Sequence, residues 1–329
     1  MKLAVWGHPE INFVENGMDI TETLKNFERA GISIYYPFVW LHGKTCYKSE
    51  VVAEQTKEDL LQQIIDEAKK YGIEVHPVIV SFGNTGQEVT KYQGHKAPEK
   101  LNEKDWICPT GKENRNYVLK VLKELVNNYD IDGIHLDYVR YPNSSISLEY
   151  PCECKDCRTK RRELAGYEVF SKDDLTEPGK LFKELIMRNQ AVRNFVIKAK
   201  EITDASNMKL TMAARARYFK DALGEGQDWV EWAKEGLIDE VNTMSYNDCF
   251  ERYQRFVTDH SHLLKDTKAK YFAGIGRSST LGVITTEEMI EQIKLADEYG
   301  ADGCTIFHSR ALNEKDFNEL EKLKGSLFN

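Results

Sequence analysis

A single (β/α)8 barrel, an α/β fold spanning 1–329, is what this sequence predicts, and three observations predict it. Short β-rich runs alternate with amphipathic helical stretches eight times along 329 residues, an ordinary length for one such barrel. Gly31, Gly72, Gly236 and Gly300 each stand where a helical pattern ends and the next β-rich run is about to begin, the usual place for a left-handed cap. No glycine-rich phosphate loop follows the first strand. The nearest candidate, "GIGRSS", comes late and lacks the GxGxxG spacing, which sets the open doubly wound sheet aside as runner-up.

In chain order, strand one is "KLAVWG" (2–7), followed by the helical "DITETLKNFERAG". Strand two, "ISIYYPFVW" (32–40), precedes "TKEDLLQQIIDEAKKYG", in which Leu60, Leu61, Ile64, Ile65 and Ala68 make one apolar stripe. Strand three, "EVHPVIVSF" (74–82), leads into a long loop, 83–111, and then "ENRNYVLKVLKELVNNY". Strand four, "IDGIHLDYV" (131–139), is followed by an oversized segment, 143–178, rich in Ser, Cys and acidic residues, which reads as a lid or small inserted subdomain. Helix four is "GKLFKELIMRNQAVRNFVIKAKEITD". Strands five to eight are "KLTMAARAR" (209–217), "DEVNTMSYN" (239–247), "AKYFAGIG" (269–276) and "ADGCTIFHS" (301–309). Their helices are "DWVEWAKEGL", "DCFERYQRFVTDHSHLL", "TTEEMIEQIKLADEYG" and "NEKDFNELEKLKGSLF". Thr285 followed by Glu288 predicts a capping box. Both long loops leave the C-terminal ends of strands, the barrel face where active sites form.

Composition is that of a globular protein, 41% hydrophobic and 30% charged. A net charge of −8 argues against a nucleic-acid surface, and only "CRTKRRE" (157–163) is locally basic. No run approaches the roughly 18 apolar residues of a membrane span. The opening "MKLAVWGHPE" goes straight into a strand without a signal-peptide core, so the expectation is a cytoplasmic protein. No motif for an organic cofactor is present.

Strand four poses the chemical question. Alternation sends Ile134 and Leu136 towards the helices and His135 and Asp137 into the barrel, with Asp137 near the rim. An unpaired buried charge costs several kcal/mol or more. A carboxylate in a cleft there suits acid–base or nucleophilic sugar chemistry. The structural alternative is that Asp137 pairs with Arg140 or Arg215 and ties the rim together. Asp132, just before the strand, reads as a turn or cap at the barrel bottom.

"DGIHLDYVRYP" resembles the strand-four signature of the family-10-like glycosyl hydrolases, a group related to enzymes acting on peptidoglycan glycan strands. The resemblance extends along most of the barrel. "LAVWG", "GIEVHPVI", "CPTGKENRNYVLKVLKELVNNYDIDGI" and "QDWVEWAKEGLIDEVNTMSYND" are similar to its strands one and three, its helix three into strand four, and its QDW-to-MSY block. It implies a carbohydrate-cleaving barrel with Asp137 as catalytic acid or nucleophile. Tyr246 and Met244 match its strand-six MSY, which alternation turns inwards with Asn242, and Tyr246 is a candidate to support the substrate or the catalytic carboxylate. Where the family often has two successive acids after strand four, Tyr138 follows Asp137 here.

Glycosidases usually use two carboxyl groups, and strand five supplies none. Asp221 and Asp248 are the candidate partners of Asp137; Asp228 reads equally as a helix N-cap, as Asp248 also could, and Glu225 as solvated. Arg215 and Arg217 suit a carboxylate-bearing sugar or an ionised Asp137. His8, His76, His135 and His308, with Arg140, are candidate substrate contacts, and Trp6, Tyr36, Trp40 and Tyr218 candidate sugar-stacking rings. Against these stand the ordinary roles of satisfied histidines and core aromatics. Two rival functions remain open: a carbohydrate-binding barrel without an acid pair, and a metal-dependent enzyme using His8, His76, His308 and Asp137.

Cys152, Cys154 and Cys157 form a C-x-C-x2-C array, and Cys108 precedes helix three on the neighbouring loop. Four thiolates predict a structural zinc site pinning the long loop; free thiols are the alternative. The array resembles the four-cysteine zinc site of family 42 β-galactosidases, although that family's strand-four Asn-Glu is missing here. Cys46, Cys249 and Cys304 read as lone cysteines.

Overall fold

The computed structural model describes residues 1–83, 106–143, 151–171 and 173–328. Most of the expected 83–111 loop and residues 144–150 of the 143–178 segment lie outside them.

Eight parallel strands close into a barrel: β1 (Lys2–Gly7), β2 (Ile32–Leu41), β3 (Val78–Val80, preceded by the two-residue Glu74–Val75), β4 (Gly133–Asp137), β5 (Lys209–Ala214), β6 (Glu240–Thr243), β7 (Lys270–Gly276) and β8 (Gly303–Phe307). Each pairs with the next, and β8 pairs with β1, Ala4 opposite Thr305. The expected helices are all present: α1 (Ile20–Arg29), α2 (Leu60–Lys70), α3 (Lys112–Asn128), α5 (Pro178–Ala205), α6 (Trp229–Lys234), α7 (Phe250–Leu264), α8 (Thr286–Glu298) and α9 (Glu314–Leu323). The inserted segment adds, among its described residues, the α-helix α4 (Lys155–Ala165) and a 3-10 turn, Asp173–Thr176.

Local chemistry explains where these elements begin and end. Asp19, Asp59 and Asp228 cap α1, α2 and α6 by accepting the backbone N–H three residues on. Thr285 and Glu288 form the reciprocal capping box of α8. Gly31, Gly72, Gly236 and Gly300 take positive φ of 65–80°, which a side chain would disfavour. The α4 segment is fastened to α5 by Arg161, whose buried guanidinium bonds both Glu184 carboxylate oxygens at 2.7 and 2.9 Å.

Asp132 is neither a turn nor a cap but a latch. Its Oδ2 accepts the Val75 N–H at 2.8 Å. Asp239 and Asp302, likewise one residue before β6 and β8, accept the amides of Leu210 at 2.7 Å and Tyr271 at 2.9 Å. Strands β4, β6 and β8 are thus each tied at the bottom to the strand before. A carboxylate–amide bond contributes about 1.5–3 kcal/mol, and Asp239 is partly exposed, so Asp239→Ala should cost about 1–2 kcal/mol. An unchanged urea midpoint would deny the latch.

The barrel interior is polar below and aromatic above. At the bottom Glu74 accepts from Lys2 at 2.6 Å, Lys209 at 2.5 Å and His76 at 3.2 Å. Burial works against its charge, but these three donors hold its carboxyl well below the usual range. The middle layer joins Tyr36 and Asn242 to Glu240, and Thr305 to Asn242. Trp6 Nε1 donates to His135 Nε2 at 3.1 Å, and His135 Nδ1 lies 2.8 Å from Thr211 Oγ1. Thr211 Oγ1 itself donates to the Ile134 carbonyl, so the imidazole is neutral with its proton on Nδ1. Burial, and then His76, push His135 well below its ordinary pKa, in agreement.

Candidate active site

Above this layer opens a cavity of about 800 Å³ at the C-terminal ends of the strands, with Trp6, Tyr246 and Phe307 among its lining residues. Phe307 and Tyr246 stack at 5.3 Å, and Trp6 meets both edge-on. Asp137, the last residue of β4, lines this cavity and is only 6% exposed. Its Oδ1 accepts the N–H of Tyr138 at 2.7 Å. Tyr138 takes the left-handed conformation, φ 50°, beside Gly83, where a Cβ would come 2.4 Å from the Tyr138 ring. The turn therefore needs glycine at 83. Burial pushes the Asp137 carboxyl up to about 6, against the pull of Arg140, the Tyr138 N–H and Arg215. Tyr246 is raised well above its usual range by burial and by the Asp137 charge.

The QDW block sets the neighbouring wall. Gln227 Oε1 accepts the Arg215 N–H at 2.8 Å, its Nε2 donates to the Ala213 carbonyl at 3.2 Å, and Trp229 Nε1 donates to the Arg215 carbonyl at 3.2 Å. The backbone of Arg215 is clamped on both sides. Asp228 caps α6 and accepts from Tyr218 Oη at 2.5 Å, so Tyr218 leans on Trp229 away from the lining.

Asp221 lines the cavity, buried, and pairs with Arg217 Nε at 2.7 Å and Arg215 Nη2 at 3.2 Å. Glu225 is not solvated as its sequence context suggests. It is fully buried and pairs with Arg140 Nη1 and Arg215 Nε, both at 3.2 Å. The loop after β5 folds inwards behind Asp137, and spacing alone carries no sign of that. Asp248 needs the opposite correction. It is exposed, lies off the cavity lining, and α7 begins after Cys249, so it is neither the partner of Asp137 nor the cap.

The histidines do not converge. His8 lines the cavity, stacked on Phe38 at 4.4 Å and 6.0 Å from the His308 ring. Burial, then His308, Arg310 and His42, lower its pKa to about 4, leaving a neutral hydrogen-bonding group. His308 stands behind it, off the lining, with its pKa lowered by burial and Arg310. His76 and His135 are corrected from substrate contacts to buried interior residues, because their strand register sets them beneath the cavity. Trp40 is corrected too. It is buried outside the barrel wall, edge-on to Tyr117 of α3 at 5.5 Å. Tyr36 is committed to Glu240 in the interior. The set of His8, His76, His308 and Asp137 therefore does not assemble. Among the described residues, the group that could gather around a metal is the four cysteines.

Unforeseen in the sequence are Phe38 and Arg252 on the lining, Phe219 at 78% exposure, and Leu281 in the turn of a small hairpin, Ser278–Ser279 with Gly282–Val283. A second cavity of about 870 Å³, lined by residues such as Phe13, Lys44 and Glu67, shares no residue with this site.

Cys108, Cys152, Cys154 and Cys157 meet with all four sulfurs within 4.8 Å of one another, and Cys108 Sγ lies 3.4 Å from Cys157 Sγ. A zinc ion with Zn–S near 2.3 Å needs sulfur–sulfur edges of roughly 3.8 Å, so the cluster has the size and donor set of a closed tetrahedral site. It joins the segment before α3 to α4. Arg161 Nη2 donates to the Cys152 carbonyl at 2.7 Å, and Asn114 Nδ2 to the Cys108 carbonyl at 2.9 Å.

Residues 10–288 match the family model described as glycosyl hydrolase-like 10. The chain is 22% identical over 220 residues to "Glycosyl hydrolase YngK" of Bacillus subtilis (strain 168), covering 61% of this chain and 41% of that protein; it thus spans less than half the length of that relative. Among solved structures it is similar to the PgaB (BpsB) glycoside hydrolase domain from Bordetella bronchiseptica, TM-score 0.77 at 12% identity, covering 99% of both chains. A β-galactosidase from the psychrophilic Marinomonas ef1 gives TM-score 0.71 at 11% identity, covering 98% of this chain and 59% of that one. At such identities these structures show the fold, and the likeness of the cysteine array to family 42 stays one of spacing.

Proposed function

The chain belongs to the glycosyl hydrolase-like 10 family, and from that premise we propose that it is a glycoside hydrolase cleaving a poly- or oligosaccharide in the barrel-mouth cavity. The observation that carries this reading is Asp137: a buried carboxyl on the cavity lining, raised to about 6, is poised to hold and give up a proton near neutrality. Asp137 acts as general acid. Its proton passes to the glycosidic oxygen as the anomeric C–O bond breaks, and water supplies the new hydroxyl. Asp221, the other carboxylate on the lining among the described residues, takes the second role at the anomeric carbon, by activating water or by direct attack. Trp6, Phe307 and Tyr246 offer ring faces and edges to the sugar. His8 offers a neutral imidazole.

The cavity is also cationic in a chain of net charge −8. Arg140, Arg215, Arg217 and Arg252 line it against Asp137 and Asp221. That balance favours a glycan bearing carboxylates over a neutral one.

A second reading has one observation behind it. Asp221 is tied to two guanidiniums, and a carboxylate so engaged suits a carbohydrate-binding barrel as well as a catalyst. Turnover separates the two, since a binding barrel has none, and the pH dependence of kcat then tests the role of Asp137. General-acid catalysis by Asp137 requires the protonated form, so kcat should fall tenfold per unit as pH rises above about 6. Turnover still flat at pH 8 would remove Asp137 from the acid role.

We also propose that the four cysteines hold a structural zinc ion. Zinc there would supply a cross-link between the loops after β3 and β4, and no chemistry at Asp137.

A further inference from the structure

Asp137 is backed by a row of alternating charges. Arg217 pairs with Asp221, Asp221 with Arg215, Arg215 with Glu225, and Glu225 with Arg140, at 2.7, 3.2, 3.2 and 3.2 Å. Asp221 and three of the arginines face the cavity, whereas Glu225 stands behind it, fully buried and off the lining. Its position is fixed independently of its charge, because the Tyr141 N–H donates to the Glu225 carbonyl at 2.7 Å and stitches the chain after β4 to the chain after β5. Arg140 is fixed as well, its guanidinium over the rings of Trp106 at 5.1 Å and Tyr138 at 4.9 Å.

We propose that Glu225 is a positioning residue: by holding Arg140 and Arg215 behind Asp137, it sets the pH at which Asp137 gives up its proton.

The groups facing Asp137 are Arg140 from its own strand end, Arg215 from β5, Tyr246 from beyond β6, and the N–H of Tyr138. Both cations favour the ionised carboxylate, and an opposite charge within about 4–6 Å lowers a carboxyl by roughly 1–3 units. Glu225 pairs with both cations at once, so their field at Asp137 is partly cancelled. Burial then prevails, and the carboxyl stays near 6. Take the Glu225 charge away and Arg140 loses its carboxylate while Arg215 keeps only Asp221, so the cationic field at Asp137 grows. The carboxyl should then ionise at lower pH. This inference rests on Asp137 as the proton-carrying group, and its test does not depend on turnover.

The test is the titration of Asp137 in protein labelled with ¹³C-aspartate, the carboxyl resonance being assigned by its loss in Asp137→Asn. The wild-type midpoint should lie near 6. In Glu225→Gln it should fall by about one unit or more. Glu225→Asp, which keeps the charge but withdraws it by one methylene, should move the midpoint the same way by less. A midpoint unmoved in either folded variant would overturn the proposal, and so would failure of both to fold, which would make Glu225 structural only. If glycans are turned over, the alkaline limb of kcat should move down in step with the resonance. If none is turned over, the resonance still decides the role of Glu225.

Discussion

Asp137→Asn is expected to lower kcat by about 10³-fold while leaving the fold intact, because general-acid catalysis contributes about 10²–10⁴-fold and an amide has no acidic proton to give. The same substitution should stabilise the protein above pH 6. The carboxyl is raised from 3.8 to about 6 in the folded chain, so between those values the native state binds the proton more tightly than the unfolded state does. Wild-type stability therefore falls as pH rises from about 4 to about 6, and levels off above. The difference of about 2 units corresponds to at most about 3 kcal/mol, and the asparagine variant does not incur that loss. Urea midpoints of the two proteins should diverge from pH 4 to pH 6 in favour of the variant, then run parallel. A variant less stable than wild type at pH 8 would show that the Asp137 charge is satisfied, and would favour the rim-tying role over the catalytic one.

The second large effect concerns the cysteines. A structural zinc ion contributes to folding outright, since the site it needs does not pre-exist in the unfolded chain. Purified protein should carry about one zinc per chain by elemental analysis. Cys157→Ser should lose it and drop Tm by on the order of 5–10 °C, at about 2–4 °C per kcal/mol or somewhat less for a chain of this length. Chelation should do the same to wild type and leave Cys157→Ser unchanged. Metal-free protein whose Tm ignores both the chelator and the substitution would make these four buried thiols a packing feature.

The barrel itself was legible because it needs only periodicity. Every helical stripe and every capping glycine answers to one local rule, and the Asp latches before β4, β6 and β8 repeat in the sequence as "IDG", "IDE" and "ADG". Side-chain depth was less legible. Val78 pairs with His135 and Val80 with Asp137, so His76 lies two residues below His135 and four below Asp137, at the Glu74 end. At about 3.3 Å per residue, that is too deep for any ligand in the cavity. Trp40 misleads for another reason. The β2–β3 register slips between Phe38 and Trp40, so Phe38 faces inwards opposite Val78 while Trp40, opposite Ile79, faces the helices. Strict alternation would have put both rings on one face. Glu225 was beyond reach for a third: its burial depends on a loop folding back behind another strand, and no local spacing encodes that.

Reducing-end release reads glycosidic cleavage at Asp137 without intermediaries. Wild-type protein is incubated at pH 5 and pH 8 with a panel of glycans that includes denuded peptidoglycan strands and neutral polysaccharides. New reducing ends are expected from a carboxylate-bearing glycan, many more at pH 5 than at pH 8, and far fewer from neutral ones. No release from any glycan at either pH, with saturable binding of the same glycans retained, would contradict that cleavage and make the barrel a carbohydrate-binding module.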